Sequence, residues 1–381
     1  TATFVGHDVT RATLLRDGNN LVFDKLAFEL AGSRGSGRIA IPAGDVSPFS
    51  GALSFDRADA TALLSLALGR ANVSYIEFGI PLLANFPGTL KVEVGTLAVS
   101  ERVMLQNAAF QIRAGRYETV FEDFQARLAG GKLSGMLRVA DFLPRVIEVQ
   151  LSAEDVTLAQ LLSAKALRGT FRGTVSLGGS GKTEDELIAS LSGRGTVMLS
   201  NLEIERTDAT AVSSVFAAVK EAPDEKKIEQ ALIAALDRAP LKVSKLETPL
   251  VIANGIFRSG SAKAQAGSIE ILLSGALNIP KRSVEALLNI EVAGGSSVRP
   301  GASIRWAGPF DAPERKVDAK ALITAITLRA IERGGQNINL PEERIEPGKK
   351  KRPPAKSEIE TAPPLPPPSN IGPVPQPRSQ N

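Results

Sequence analysis

The sequence predicts a mainly β chain with flanking α: an elongated, repeat-built antiparallel sheet, short amphipathic helices covering one face, and a disordered Pro-rich tail. Three observations predict it. The chain matches itself when shifted by 98 residues, apolar residues alternate with small or polar ones at period two, and glycine clusters punctuate the alternating runs.

The repeat needs no gap. Val22-Phe23 falls on Val120-Phe121, Leu30-Ala31-Gly32 on Leu128-Ala129-Gly130, Ser36-Gly37 on Ser134-Gly135, and Leu63-Leu64-Ser65 on Leu161-Leu162-Ser163. Each unit opens with a strand (Phe23 to Leu30), turns at Gly32 to Gly37, and returns with Ile39 and Ile41 on one face. An edge-type strand, Leu53 to Phe55, leads into a helix predicted over Ala58 to Leu68, where Leu63, Leu64, Ala67 and Leu68 stand at helical spacing. The second copy runs from Val120 through Leu137 and Val139 to a helix over Val156 to Leu167. A third, less similar hairpin covers Asn254 to Ile279, with strands over Gln265 to Leu273 and Gly275 to Ile279. A sheet of this kind has one apolar face, and helices, a second sheet or a ligand must cover it.

Between the second copy and that hairpin, a strand over Thr170 to Leu177 runs into GGSGKT (Gly178 to Thr183) and then EDELIASL. Strand, glycine run, GKT and helix imitate a phosphate-binding loop, and this reading is rejected. Such a loop needs a glycine where Ser176 stands, and Glu184, Asp185 and Glu186 crowd the helix start that would hold the phosphate. Thr183 with Glu186 reads instead as a capping box, with Leu187, Ile188 and Leu191 facing a core and Val197 and Leu199 on the strand that follows. A nucleotide-dependent enzyme is the last of three functional readings.

Residues 209–238 are read as a helical hairpin. Val212, Val215, Phe216 and Val219 make one face of its first helix; Ile228, Leu232, Ile233 and Leu236 make that of the second, with Pro223 at its start. The hairpin is expected to cover the sheet. A last helix over Ala319 to Arg333 carries Leu322, Ile323, Ile326 and Ile331 and is expected to end at Gly334-Gly335. Twelve of the 24 prolines lie in residues 341–381, so this tail is expected to be a disordered spacer. The domain reading is therefore 1–118, a first β unit; 119–205, the second unit and central motif; 206–240, the helical insertion; 241–335, a C-terminal β region with its closing helix; and 341–381, the tail.

Composition narrows the chemistry. The chain has no cysteine and a single histidine, His7, which removes thiol nucleophiles, disulfides, Cys-based metal sites and multi-His metal sites. No catalytic residue, cofactor or metal is expected. The net charge of +4 over 381 residues is small, and the Lys349 to Arg352 run reads as solvated linker charge, so no nucleic-acid partner is expected. No stretch approaches the roughly 18–20 apolar residues of a membrane-spanning helix. The chain starts at Thr1 without a methionine, and an N-terminal anchor or signal is expected upstream.

The segment from Gly179 to Asn201 resembles the C-terminal region of the AsmA family, including its TamB-like envelope proteins. Gly179, Gly181, Glu186, Leu187, Leu191, Gly193, Gly195, Val197 and Leu199 stand where that family repeats a glycine strand, an acidic helix start and an apolar strand. Leu202-Glu203-Ile204-Glu205 departs from it, where the family often places a glycine-containing turn. Residues Ala302 to Asp318 look like the family's closing strand, with a corner after Trp306, and the likeness covers about residues 20 to 335. The resemblance implies a periplasmic module, anchored to the inner membrane of a Gram-negative bacterium, that carries phospholipid towards the outer membrane in a long β-groove. Candidate groove residues are then Ile39, Ile41, Leu137, Val139, Val175, Leu177, Val197, Leu199, Ile269 and Ile271. Val212, Val215, Phe216, Val219, Ile228, Leu232 and Leu236 become the covering set. The expected partners are phospholipid, the inner membrane through the upstream anchor, and other envelope proteins. The second reading is an assembly factor that offers a free strand edge to outer-membrane proteins.

Overall fold

The computed structural model describes residues 3–4, 7–30, 32–43, 48–69, 74–161, 166–219, 224–293, 299–310 and 312–336. The tail at 341–381, with its basic run, lies outside the described residues, as do Pro223 and the middle of the second predicted helix. Residues up to Gly335 form one compact unit built on a long open sheet. Its strands follow chain order: β1 (Thr3–Phe4), β2 (His7–Asp17), β3 (Asn20–Leu30), β4 (Ser33–Pro42), β5 (Phe49–Asp59), β6 (Gly88–Ala98), β7 (Met104–Ala114), β8 (Glu118–Leu128), β9 (Gly131–Ala140) and β10 (Arg145–Thr157). The sheet continues through β11 (Leu167–Gly181), β12 (Ser192–Ile204), β13 (Leu241–Ala253), β14 (Ile256–Ser259), β15 (Ala262–Ala266), β16 (Ile269–Asn278), β17 (Ser283–Val292), β18 (Gly301–Pro309) and β19 (Glu314–Asp318). The helices are α1 (Ala60–Leu68), α2 (Leu158–Leu161), α3 (Glu184–Ser190), α4 (Ala211–Ala218), α5 (Glu225–Leu236) and α6 (Lys320–Gln336).

The 98-residue repeat is a structural repeat. In the first copy the β3–β4 register slips between Phe23 and Leu26; in the second, β8–β9 slips between Phe121 and Phe124, the same positions shifted by one repeat. Lys25 (φ 49°) and Asp123 (φ 55°) adopt the same left-handed kink there. Gly37 and Gly135 also correspond. A Cβ on either would sit 2.1 Å from the carbonyl oxygen of the next strand, Ala52 O and Gln150 O, so only glycine lets those strands come so close.

The kinks explain how apolar residues stay on one face. Asn107 (φ 50°), Asp155 (φ 54°) and Asn201 (φ 51°) repeat the conformation in β7, β10 and β12. Each left-handed residue stretches the spacing of successive inward residues from two to three: Phe121 to Phe124, Leu105 to Ala108, Ala153 to Val156, Leu199 to Leu202. Asn and Asp tolerate this region best among residues with a side chain, and a bulge bends its strand and raises the local twist. Replacing Asp123 with valine should destabilise the fold by about 1–2 kcal/mol, whereas Asp123→Gly should be close to neutral, as read from urea unfolding.

Several sequence expectations change. Leu53 to Phe55 belongs to an interior strand, since β5 pairs antiparallel with β4 and parallel with β6. The parallel step follows from α1, which carries the chain back so that β6 starts beside the start of β5. Asp59 caps α1 by accepting from the Ala62 N–H (3.1 Å), and Gly69 (φ 63°) ends it. In the third hairpin, Gln265 to Leu273 is broken by a turn at Gly267, and Ile269–Asn278 is one strand. The predicted closing strand is a hairpin of β18 and β19. Helix α6 runs through Gly334 and Gly335 to Gln336, and its Ile331 is 64% exposed.

Candidate functional site: the apolar face of the sheet

Residues directly opposite one another on paired strands lie on the same face. Following the register from β3 to β17 gives one row: Phe23, Ile39, Gly51, Leu90, Ile112, Phe121, Leu137, Val149, Leu177, Gly193, Ile252, Phe257, Leu277 and Val284. Every member is apolar or glycine. All ten groove candidates share this face, being in the row or an even number of residues from it along unbroken stretches of register. The opposite face is polar, with exposed cross-strand ion pairs such as Arg138–Glu148 (3.6 Å) and Arg305–Glu285 (2.8 Å). Such pairs stabilise little individually.

Two cores fill the ends of the apolar face. In the first, Leu63 and Ala67 of α1 and Leu83 of the β5–β6 connection pack on Phe55, Val92, Val94, Phe110, Ile112, Phe121 and Val139. In the second, α4, α5 and α6 bring Val212, Val215, Ile228, Leu232, Leu236, Leu322 and Ile326 onto Leu202, Leu246, Ile271, Leu288, Ile290 and Ile304. Phe216 and Val219 pack at its margin. Arg329 of α6 pins this lid: its guanidinium lies 3.9 Å from the centre of the Phe216 ring and donates to the Val219 carbonyl that ends α4. Burial lowers the pKa of Arg329. The seven covering residues thus all lie in or against protein.

The same cores divide the groove candidates. Val139 (0% exposed), Ile269 (6%) and Ile271 (0%) are covered by protein and belong to the cores, which corrects their assignment to an open groove. Ile39 and Leu137 pack against the first core and Leu199 against the second. Ile41 is 41% exposed near the end of β4. Val175, Leu177 and Val197 belong to neither core, and with Val149, Leu151 and Leu250 they form a half-buried apolar band across β10 to β13. The strict alternation Val149, Leu151, Ala153 would have found the first two; Leu250 lies in a run without a clear period. Glycines are interleaved with the band. Val175 faces Gly195, Leu177 faces Gly193 and Val197 faces Gly173. A Cβ on Gly195 would lie 2.2 Å from Thr174 O, so the strands close up where the side chain is missing.

The phosphate-loop imitation has no loop. Gly178 to Gly181 continue β11, paired with Glu148 back to Arg145 on β10. Thr183 Oγ1 accepts from the Glu186 N–H (3.2 Å), and Glu186 Oε2 accepts from the Lys182 N–H (2.8 Å), so a carboxylate occupies the amide a phosphate would seek.

One buried polar group escaped the sequence reading. Arg145, 2% exposed, donates to Gly79 O (2.6 Å), Leu68 O (3.1 Å) and Ala140 O (3.4 Å), tying the β5–β6 connection to the start of β10. Burial lowers its pKa and the neighbouring Asp141 carboxylate opposes that; burial raises the pKa of Asp141. Its isolation in the sequence gave no signal. Further along, β13 and β15 part beyond the contact of the Gly260 N–H with Pro249 O (3.0 Å), leaving a cleft with Lys242, Lys245, Glu203 and Gln265 at its mouth and Val243 and Ile271 at its floor. Among the described residues no group of three or more His, Asp or Glu side chains is placed to hold a metal, and no helix is long and apolar enough to cross a membrane. None of the protein families, curated proteins or solved structures compared with the chain matches it.

Proposed function

We propose that the chain is a non-enzymatic periplasmic module of an AsmA-like protein anchored in the inner membrane, which shields phospholipid acyl chains during transport to, or maintenance of, the outer membrane. The observation that carries this reading is the band Val149, Leu151, Val175, Leu177, Val197 and Leu250, apolar yet left out of both cores. An acyl chain gains about 0.8 kcal/mol per buried methylene, so an apolar strip of this kind can hold one without polar or catalytic groups. The pinned lid over the second core favours lipid contact in the middle of the sheet rather than beneath α4 and α5.

The assembly-factor reading is favoured by the cleft, where Leu241 to Glu247 of β13 have no ladder partner on the β15 side. Lys242 and Lys245 line that cleft, and the terminal β19 is five residues long with Arg315 and Lys316, both features that protect edges from pairing. It ranks second for that reason.

Mass spectrometry of lipids extracted from protein purified in mild conditions tests the proposal. Wild-type protein should carry phospholipid near one chain pair per protein, and Val197→Asp should reduce it severalfold while circular dichroism stays unchanged. A folded, lipid-free wild type that also fails to take up added phospholipid would overturn the groove reading.

A further inference from the structure

Among the described residues, all the exposed large apolar ones but Val99 and Ile331 gather at one set of strand ends, where β5 and β6 begin and β9 and β11 finish. The set runs from β2 to the turn after β18. Its members include Ile80 (81%), Tyr75 (72%), Tyr117 (70%), Phe142 (57%) and Phe86 (54%), with Leu14 and Val251 at 58% each. The other ends of the strands carry only Val99 of this kind among the described residues. Scattered apolar residues on a surface need no explanation, but segregation to one rim does.

Three features indicate what the rim meets. It is held in place, because the connection bearing Tyr75, Ile80 and Phe86 is fastened by Arg145 to Gly79 O and Leu68 O, by Phe78 N–H to Lys182 O (2.8 Å) and by Asp185 N–H to Ser74 O (3.2 Å). Two of its connections carry little charge, while Tyr117 stands between Arg116 and Glu118, one charge of each sign. Between Ser74 and Pro87 the single charge is Glu77, and between Asp141 and Val146 the two charged residues are Asp141, half-buried, and Arg145, buried inward. It is also a line of separate aromatic and aliphatic side chains interrupted by polar turns, not one compact patch. A protein partner grips a clustered, fully desolvated centre, whereas the interfacial zone of a bilayer accepts apolar and aromatic side chains inserted one by one.

We infer that this rim, built around Tyr75, Ile80, Phe86, Tyr117 and Phe142, docks the protein on the surface of a lipid bilayer. With few charges around Ile80, Phe86 and Phe142 and one of each sign beside Tyr117, the rim seeks the boundary between headgroups and acyl chains rather than anionic charge. The tyrosine hydroxyls suit a position with one end apolar and the other wet. The inference stands apart from the groove reading. A rim that binds vesicles on a protein whose interior carries no extracted lipid would keep the first and lose the second.

Flotation of the full chain with vesicles of phosphatidylcholine, and separately of phosphatidylethanolamine with phosphatidylglycerol, tests it. Wild type should float with both. The double variant Ile80→Glu with Tyr117→Glu should lower the bound fraction roughly tenfold, and Val99→Glu at the opposite ends should leave it unchanged. A second pair, Phe86→Ser with Phe142→Ser, guards against a folding defect in the first, and circular dichroism checks both. Wild type that stays in solution with both vesicles overturns the inference, as does an equal loss in Val99→Glu or no loss in either rim pair. A rim variant that breaks a dimer seen by sedimentation, without vesicle binding by wild type, assigns the rim to a second copy of the chain and likewise overturns it.

Discussion

Ile271→Asp should leave the C-terminal half of the sheet unfolded, whereas Val197→Asp, on the same face, should leave the protein folded. Ile271 is fully buried between Ala264 of β15 and Ile290 of β17, in the core that α4, α5 and α6 close. Lys242 and Lys245 at the mouth of the adjoining cleft are exposed and already paired with Glu203 and Glu247. A carboxylate buried in this apolar cluster therefore finds no free cation, and it must either stay ionised without water or bind a proton and still lack a partner. The penalty is several kcal/mol, together with the lost packing of an isoleucine, about 2–5 kcal/mol on truncation alone. Against a total stability of about 5–15 kcal/mol this is enough to unfold the region. Val197 is half-buried beside Gly173 and belongs to neither core, so its carboxylate can keep water. Urea unfolding followed by circular dichroism separates the two. Equal destabilisation by both substitutions would mean that the middle of the face is as filled as its ends.

The second large effect is expected at Arg145. Truncation to alanine strips three carbonyl oxygens, Leu68, Gly79 and Ala140, of a charged donor and leaves Asp141 without its nearby cation. Removing one partner from a buried charged network costs about 3–5 kcal/mol, because the groups left behind stay desolvated. The loss should show as a lower unfolding midpoint and as faster amide exchange in the connection between α1 and β6, which Arg145 fastens. Arg145→Lys should recover part of it, since an ammonium can reach one or two of the acceptors but not the fork of three. A change confined to global stability, with no added exchange in the connection, would show that Arg145 serves packing alone.

The period-two runs and glycine punctuation were enough to read a β chain with helices on one face, and the 98-residue match foretold the repeated hairpin, whose two copies also carry corresponding bulges at Lys25 and Asp123. These are local signals, set by which side chains can alternate on a pleated strand and which residues accept a left-handed turn. The direction of β6 was not legible, because a parallel or antiparallel neighbour depends on where α1 delivers the chain, not on the alternation within the strand. The division of the groove candidates was hidden for a related reason. Val139, Val197 and Ile271 look alike in sequence, and what separates them is whether α1, or α4 with α5 and α6, lies over that part of the face. Arg145 gave no warning either, since its three acceptors belong to backbone carbonyls, two of them 66 and 77 residues away. The sequence by itself determined the strands, the repeat and the single apolar face. Tertiary structure alone decided which stretch of that face is covered, because burial is a property of what long-range contacts bring together.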